Sequence, residues 1–178
     1  DEKLNDAQLK THGYDSPGLW EGRQMNVGTQ KPESQLKLEN FLCFAIYSTA
    51  NAVTRAYQPR LSALKLTYPQ YLVMVVLWEE ENQTVRAIGD KLSLDSGTLT
   101  PLLKRLETAG LISRQRDKTD ERQVLINLTE EGRDLWARAE SVPLAMGQAF
   151  GCTLDEARGM RAELISLRDN LVASIDNA

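Results

Sequence analysis

The stretch from Thr84 to Thr129 limits the fold more than any other part of this 178-residue chain. It contains two short segments with amphipathic helical spacing, separated by a tight polar turn, and then two apolar runs joined by a charged tip. A winged helix-turn-helix needs this order to place one helix in the major groove of DNA and a loop beside it. The predicted fold class is therefore mainly α with a small β wing: a winged helix-turn-helix plus a helical dimerisation region.

Two helices are predicted before this stretch. Apolar side chains recur at helical spacing from Leu36 to about Leu66, and Pro59 predicts a kink or an early end. A second helix should run from about Pro69 to Glu80, with Thr67 or Tyr68 near its N-cap. Because it is apolar nearly all round, it is predicted to be the central buried helix.

The helix-turn-helix itself shows clear start and stop signals. Thr84 can cap the first helix, and Asp95 or Ser96 can cap the second. Gly110 stands where a helix-ending glycine belongs. The residues expected to face inward are Val85, Ile88 and Leu92 in the first helix and Leu99, Leu102, Leu103 and Leu106 in the second.

A ribbon and two more helices should complete the chain. Strands are predicted at about 111–116 and 123–128, followed by one long helix that Thr129 caps and that ends near Gly151. The sequence Thr153-Leu-Asp-Glu is a capping box for a last helix. The apolar stripe of that helix is Ala157, Met160, Leu164, Leu167 and Leu171.

This pattern predicts three functional regions. Residues 67–128 form the DNA-binding domain, and 36–66 with 129–178 form the dimerisation region, because one small core cannot use long helices at both ends. Residues 1–35 are polar, rich in turn formers and without a sustained period, which predicts a flexible arm.

Composition narrows the class of protein. The net charge of −4 disfavours DNA binding, yet residues 96–122 carry six Lys or Arg against four Asp or Glu, which is a local basic patch.

No apolar run approaches a membrane span and no export signal is visible, so a cytoplasmic protein without membrane contact is expected. With one histidine and two distant cysteines, no metal site or other cofactor is predicted. No catalytic triad or phosphate-binding loop pattern is present, which indicates a non-enzyme.

The outward face of the second helix is predicted to read DNA. Small and hydroxyl-bearing residues at its start let the backbone approach base edges, the helix N-terminus attracts phosphate, and two cations at its far end suit phosphates. Arg122, in the wing tip, is expected to enter the minor groove, with Asp120 holding its guanidinium. The face comprises Ser96, Gly97, Thr98, Thr100, Pro101, Lys104 and Arg105.

Several motifs resemble those of a known family. The wing D-x-x-D-E-R at 117–122, followed by L-T-E-E-G at 128–132, resembles the MarR family of dimeric winged-helix repressors. The runs L-C-F-A-I-Y-S-T-A-N-A-V-T-R-A-Y at 42–57 and L-T-Y-P-Q-Y-L-V-M at 66–74 are similar to its OhrR branch, the organic hydroperoxide sensors. The similarity covers about residues 36–178.

The resemblance implies a homodimeric repressor that leaves a pseudo-palindromic DNA operator when an organic hydroperoxide oxidises a cysteine. It implies that Cys43 is the sensing cysteine, that Tyr57 and Tyr68 hydrogen-bond its thiolate with Tyr47 nearby, and that Cys152 forms a disulfide with it after oxidation.

The residues alone leave alternatives open. A cysteine in an apolar helix, such as Cys43, is usually inert core. Tyr57 lies about 21 Å further along a straight helix, so it could reach only the Cys43 of an antiparallel partner helix. The alternatives are a MarR-type regulator released by a reversibly bound aromatic ligand, a thiol peroxidase, and a winged-helix module for protein contacts.

Overall fold

The computed structural model describes residues 36–177 apart from 118, 119 and 121. The predicted flexible arm, 1–35, lies outside the described residues. The chain divides into two compact units, Asp1–Ala45 and Ile46–Ala178. The described part of the first unit holds a 3-10 turn, Leu38–Asn40, and the start of the first α-helix. All of its residues from 36 to 45 are exposed.

Helix α1, Leu42–Ser62, starts about six residues later and ends about four residues earlier than predicted, and it continues three residues beyond Pro59. Its end is a Schellman motif: the N–H of Leu66 donates to the carbonyl of Leu61 over 3.1 Å, and the N–H of Lys65 donates to Ser62 over 3.1 Å. Lys65 takes the left-handed conformation with φ of 56°. Glycine usually occupies that position, so apart from the early end that Pro59 allows, the sequence carried no signal for this end.

Helix α2, Tyr68–Glu79, confirms the predicted central helix. The Gln70 side-chain oxygen accepts hydrogen bonds from the N–H of Thr67 over 2.9 Å and from the Thr67 hydroxyl over 3.0 Å, which fixes the start of the helix. Its buried residues are Gln70, Tyr71, Val73, Met74, Val76 and Leu77.

The helix-turn-helix consists of α3, Val85–Leu92, and α4, Ser96–Thr108. Thr84 caps α3 by accepting from the N–H of Ala87 over 3.0 Å, and Asp95 caps α4 by accepting from the N–H of Thr98 over 2.9 Å. Gly110 follows α4 with φ of 75°, as predicted. The inward face of α4 is narrower than predicted, because Leu99, Leu103 and Leu106 are buried whereas Leu102 stays half-exposed.

The wing is part of a three-stranded antiparallel sheet with the order β1-β3-β2. Strands β2, Ile112–Arg116, and β3, Val124–Leu128, form the predicted ribbon. The prediction of two strands missed β1, Gln83–Thr84, which pairs with β3 just before α3. Two residues are too few to show the alternation by which a strand is recognised.

The long helix predicted from Thr129 to about Gly151 is wrong. The structure has α5, Glu130–Ala139, and α6, Ser141–Phe150, instead. Pro143 explains the break, because it has no N–H to donate to the carbonyl of Ala139, four residues earlier, and its ring crowds that carbonyl. The predicted capping box of Thr153 with Glu156 is confirmed at the start of α7, Leu154–Asp176.

The core of the second unit gathers around α2, with buried apolar side chains from the end of α1, from α3 to α6 and from strands β2 and β3. Helix α7 differs, since none of its described side chains is buried and Leu164 and Leu171 are each 55% exposed. Within the described residues, no helix is long and apolar enough to cross a membrane.

Candidate DNA-reading surface and cysteine site

The predicted DNA-reading face of α4 lies on the surface. Six of its seven residues are exposed and Thr100 is half-buried. Some of its hydroxyls already have local partners: Thr98 donates to the Asp95 carboxylate over 2.9 Å, and Thr100 donates to the Ser96 carbonyl over 2.7 Å. The hydroxyl groups of Thr98 and Thr100 are therefore already hydrogen-bonded within the protein. The face presents them beside two cations, Lys104 and Arg105.

Asp95 is part of this surface although only a capping role was predicted for it. Hydrogen bonds from the backbone and side chain of Thr98 lower the pKa of its carboxyl group, so it is ionised at neutral pH. A carboxylate at the start of α4 occupies the place where a phosphate was expected to bind. Lys104 and Arg105, at the other end of the helix, are both exposed and remain the predicted phosphate contacts.

The described part of the wing tip is organised by Asp120. Its two carboxylate oxygens accept from the backbone N–H of Arg122 over 3.1 Å and from the Gln123 side chain over 3.0 Å. The contact predicted for Asp120 was with the guanidinium of Arg122, whereas the contact observed is with its backbone. The other three wing-tip residues, 118, 119 and 121, lie outside the described residues.

A cleft of about 840 Å³ brings the wing and the helix-turn-helix together. Arg122 lines it from the wing, Ser96 from the start of α4 and Arg86 from α3. The wing arginine and the start of the recognition-type helix thus face one continuous space. That arrangement is what contact with a single DNA duplex requires.

Three tyrosine rings cluster where α1 and α2 meet. The ring centre of Tyr57 lies 4.5 Å from that of Tyr68 and 5.9 Å from that of Tyr71. Burial raises the pKa of all three hydroxyl groups still further above neutral, so they are protonated at neutral pH and able to donate. The sequence singled out the first two and missed Tyr71, while Tyr47 is 65% exposed.

Both cysteines are free thiols. Cys43 is exposed in the first turn of α1, although a cysteine in such an apolar run is more often buried. Cys152 is partly exposed, directly after Gly151 ends α6 in the left-handed conformation. In the described residues, no group of three His, Cys, Asp or Glu side chains could hold a metal ion.

Two sequence relatives identify the family. The chain is 52% identical over 147 residues to the HTH-type transcriptional regulator TtmR of Methylorubrum extorquens, covering 83% of this chain and 74% of the relative. It is 45% identical over 139 residues to the organic hydroperoxide resistance transcriptional regulator of Bacillus subtilis, covering 76% of this chain and 92% of the relative. This chain belongs to the MarR family of winged-helix regulators. The second relative places it in the OhrR branch.

Further comparisons agree with this family assignment. The family description "Transcriptional regulator SarA/Rot" matches residues 55–138. Among solved structures, AbfR of Staphylococcus epidermidis is 39% identical with a TM-score of 0.65, covering 79% of this chain and 97% of that one. AbfR has also been solved in a reduced and an overoxidised form, each bound to DNA, and in a disulfide form. Both sequence relatives are named as transcriptional regulators.

Proposed function

We propose that this MarR-family protein is a cytoplasmic, homodimeric repressor that releases a pseudo-palindromic DNA operator when an organic hydroperoxide oxidises Cys43. The observation that carries the DNA-binding part is the cleft shared by Arg122 of the wing and Ser96 at the start of α4. A dimer presents two such surfaces, and a two-fold arrangement of half-sites in the duplex would match them.

The DNA-binding role divides among the surface residues by chemistry. Gly97, Thr98 and Pro101 add little bulk, so the backbone of α4 can approach base edges in the major groove. Lys104 and Arg105 contact phosphates, which position the helix without reading sequence. Arg122 enters the minor groove, where a narrow A·T-rich segment attracts a guanidinium.

The sensing chemistry requires only the thiol and the peroxide. The Cys43 thiolate attacks one oxygen of the hydroperoxide, an S–O bond forms as the O–O bond breaks, and the organic alcohol leaves after taking a proton. The product is a sulfenic acid. Condensation with a second thiol then forms a disulfide and releases water, and we assign that thiol to Cys152 of the partner subunit.

The tyrosines are proposed to hold the thiolate before it reacts. Because burial keeps Tyr57 and Tyr68 protonated, each can donate a hydrogen bond to an anionic sulfur. We place these donors in the partner subunit, with the α1 helices running antiparallel. The exposed rings of Phe41 and Phe44 beside Cys43 would favour a peroxide with an organic tail over hydrogen peroxide.

The test starts by selecting a duplex from a random-sequence DNA library with the reduced protein. Binding of that duplex is then followed during titration with cumene hydroperoxide, with and without dithiothreitol afterwards. The parent should release the DNA and rebind it after reduction, whereas Cys43→Ser should bind and not release, because a hydroxyl group cannot form a sulfenic acid.

Other outcomes point to the alternatives. Failure to enrich any duplex contradicts the DNA-binding role, and release that persists in Cys43→Ser contradicts the sensing role. Hydroperoxide consumption measured with excess thiol separates a sensor from a thiol peroxidase. Before thiol is added, a sensor consumes about one equivalent per Cys43 as it releases DNA. In excess thiol its consumption continues only at the rate at which reduction restores DNA binding, whereas a peroxidase turns over much faster than that.

A further inference from the structure

A small aromatic recess lies between the C-terminal part of α2 and the junction of α5 with α6. Its volume is about 200 Å³, below the roughly 300 Å³ at which sites for drug-sized ligands begin. Three aromatic rings line it, those of Tyr71, Trp78 and Trp136. The recess is not used by the proposed DNA-binding surface, and of its lining residues only Tyr71 also belongs to the tyrosine cluster.

Two of the three rings are held in place. The indole N–H of Trp78 donates to the Gly132 carbonyl over 2.8 Å, which fixes that ring against the first turn of α5. Tyr71 is 5% exposed, and its ring meets Trp78 nearly edge-on, with centres 6.2 Å apart. Trp136 is 50% exposed and forms the outer wall. Two of the three rings that line the recess therefore do not have to be ordered before a ligand binds.

The charged residues that line the recess are all anionic. Glu79, the last residue of α2, and Glu140, between α5 and α6, contribute carboxylates, and no Lys, Arg or His is among the described residues that line it. The C-terminal end of α2 adds partial negative charge, because its last carbonyl groups point away from the helix. The negative charge and the aromatic rings of the recess together favour binding of a cation.

We propose that this recess binds a small organic ammonium cation, of the quaternary or alkylated kind. Aromatic faces attract such cations through their quadrupole, and a diffuse methylated charge loses less hydration energy on entering than a bare ammonium does. Glu79 and Glu140 supply the opposite charge at the rim. The volume limits the ligand to a head group of about the size of choline.

The experiment uses the full chain carrying Trp20→Phe, so that tryptophan emission comes only from Trp78 and Trp136. Choline is titrated at constant ionic strength, and the emission should change with saturation. The uncharged carbon analogue 3,3-dimethylbutan-1-ol has the same shape and should bind roughly tenfold more weakly.

Paired variants locate the site. Glu79→Gln with Glu140→Gln should weaken choline binding by roughly tenfold, while Glu130→Gln with Glu163→Gln, equal in charge change but outside the recess, should leave it unchanged. Circular dichroism confirms that both pairs are folded. The proposal is overturned if choline gives no saturable change, if the uncharged analogue binds equally well, or if both pairs behave alike.

Discussion

The backbone of Arg122 is held by Asp120, which accepts a hydrogen bond from its N–H. The side chain of Arg122 is exposed and lines the cleft. We expect Arg122→Ala to weaken binding of the selected duplex by about 1–3 kcal/mol without unfolding the protein, since one charged groove contact is lost. Fluorescence anisotropy at physiological salt measures this change.

The matched control for Arg122 is Arg158→Ala, which removes the same charge from α7, where Arg158 pairs with Asp155 over 2.9 Å. Affinity should change little in that variant. Equal affinities of the parent and Arg122→Ala for the duplex would show that the wing does not contact DNA.

For single residues, the sequence predicts exposure more reliably than it predicts which atoms form hydrogen bonds. The outward face of α4 follows from 100° spacing, so its placement was correct. The contacts of Asp120 and the local bonds of Thr98 and Thr100 depend on turn geometry, which spacing does not specify. The roles of the cysteines and tyrosines came from family resemblance and remain predictions.

At the scale of elements, Thr129 joins the end of α4 to the start of α5. Its hydroxyl donates to the Gly110 carbonyl over 2.6 Å and accepts from the Gly132 N–H over 3.0 Å. We expect Thr129→Val to lower the free energy of unfolding by about 1–2 kcal/mol, because both bonds are lost while the shape is kept. Thr129→Ser keeps the hydroxyl group and should lose much less.

Urea unfolding monitored by circular dichroism measures both Thr129 variants. If the valine variant is as stable as the serine variant, the hydroxyl group contributes nothing at this junction. Operator affinity provides a second measurement, since a loosened junction would also loosen the end of the recognition-type helix.

Helix starts that carry a capping residue were predicted better than helix ends. Thr84 and Thr153 mark starts because their side chains accept from free N–H groups, and at Thr67 the Gln70 side chain accepts from the N–H and the hydroxyl group. The start of α1 was predicted from apolar spacing alone and lies about six residues later.

Helix ends depend on backbone conformation, which residue spacing does not show. At the end of α1, Lys65 takes a left-handed conformation that lysine seldom adopts. Between α5 and α6, Pro143 interrupts a stretch whose apolar periodicity predicts a single helix. The short strand β1 is defined only by its partner, so local sequence could not reveal it.

At the scale of the whole molecule, the helices after the wing expose apolar surface. Leu144 and Leu154 are 72% and 77% exposed, and Met160, Leu164 and Leu171 of the α7 stripe are exposed while Ala157 and Leu167 are half-buried. A patch this extended is typical of surfaces that bind another protein. Helical spacing predicted the stripe, but one chain's sequence cannot specify which surface of a partner covers it. This exposure supports the proposed homodimer.

The last prediction follows from that dimer: oxidation should link Cys43 to Cys152 of the partner subunit. Both thiols are accessible, as thiol chemistry requires. A disulfide needs Cα atoms within about 7 Å, so its formation would fix the terminal helices of the two subunits together. If the reduced dimer holds those atoms farther apart, the link rotates the two winged domains and changes the spacing of their recognition helices, which the helical repeat of DNA does not tolerate.

Non-reducing gel electrophoresis after cumene hydroperoxide treatment tests the link. The parent should run as a covalent dimer that dithiothreitol returns to monomer, and Cys152→Ser should run as monomer. Oxidised Cys152→Ser should also keep more DNA bound than the parent does, because without the disulfide the spacing of the two recognition helices does not change. A parent that stays monomeric on the gel while losing DNA would show that Cys152 takes no part and that Cys43 acts alone or with a small thiol.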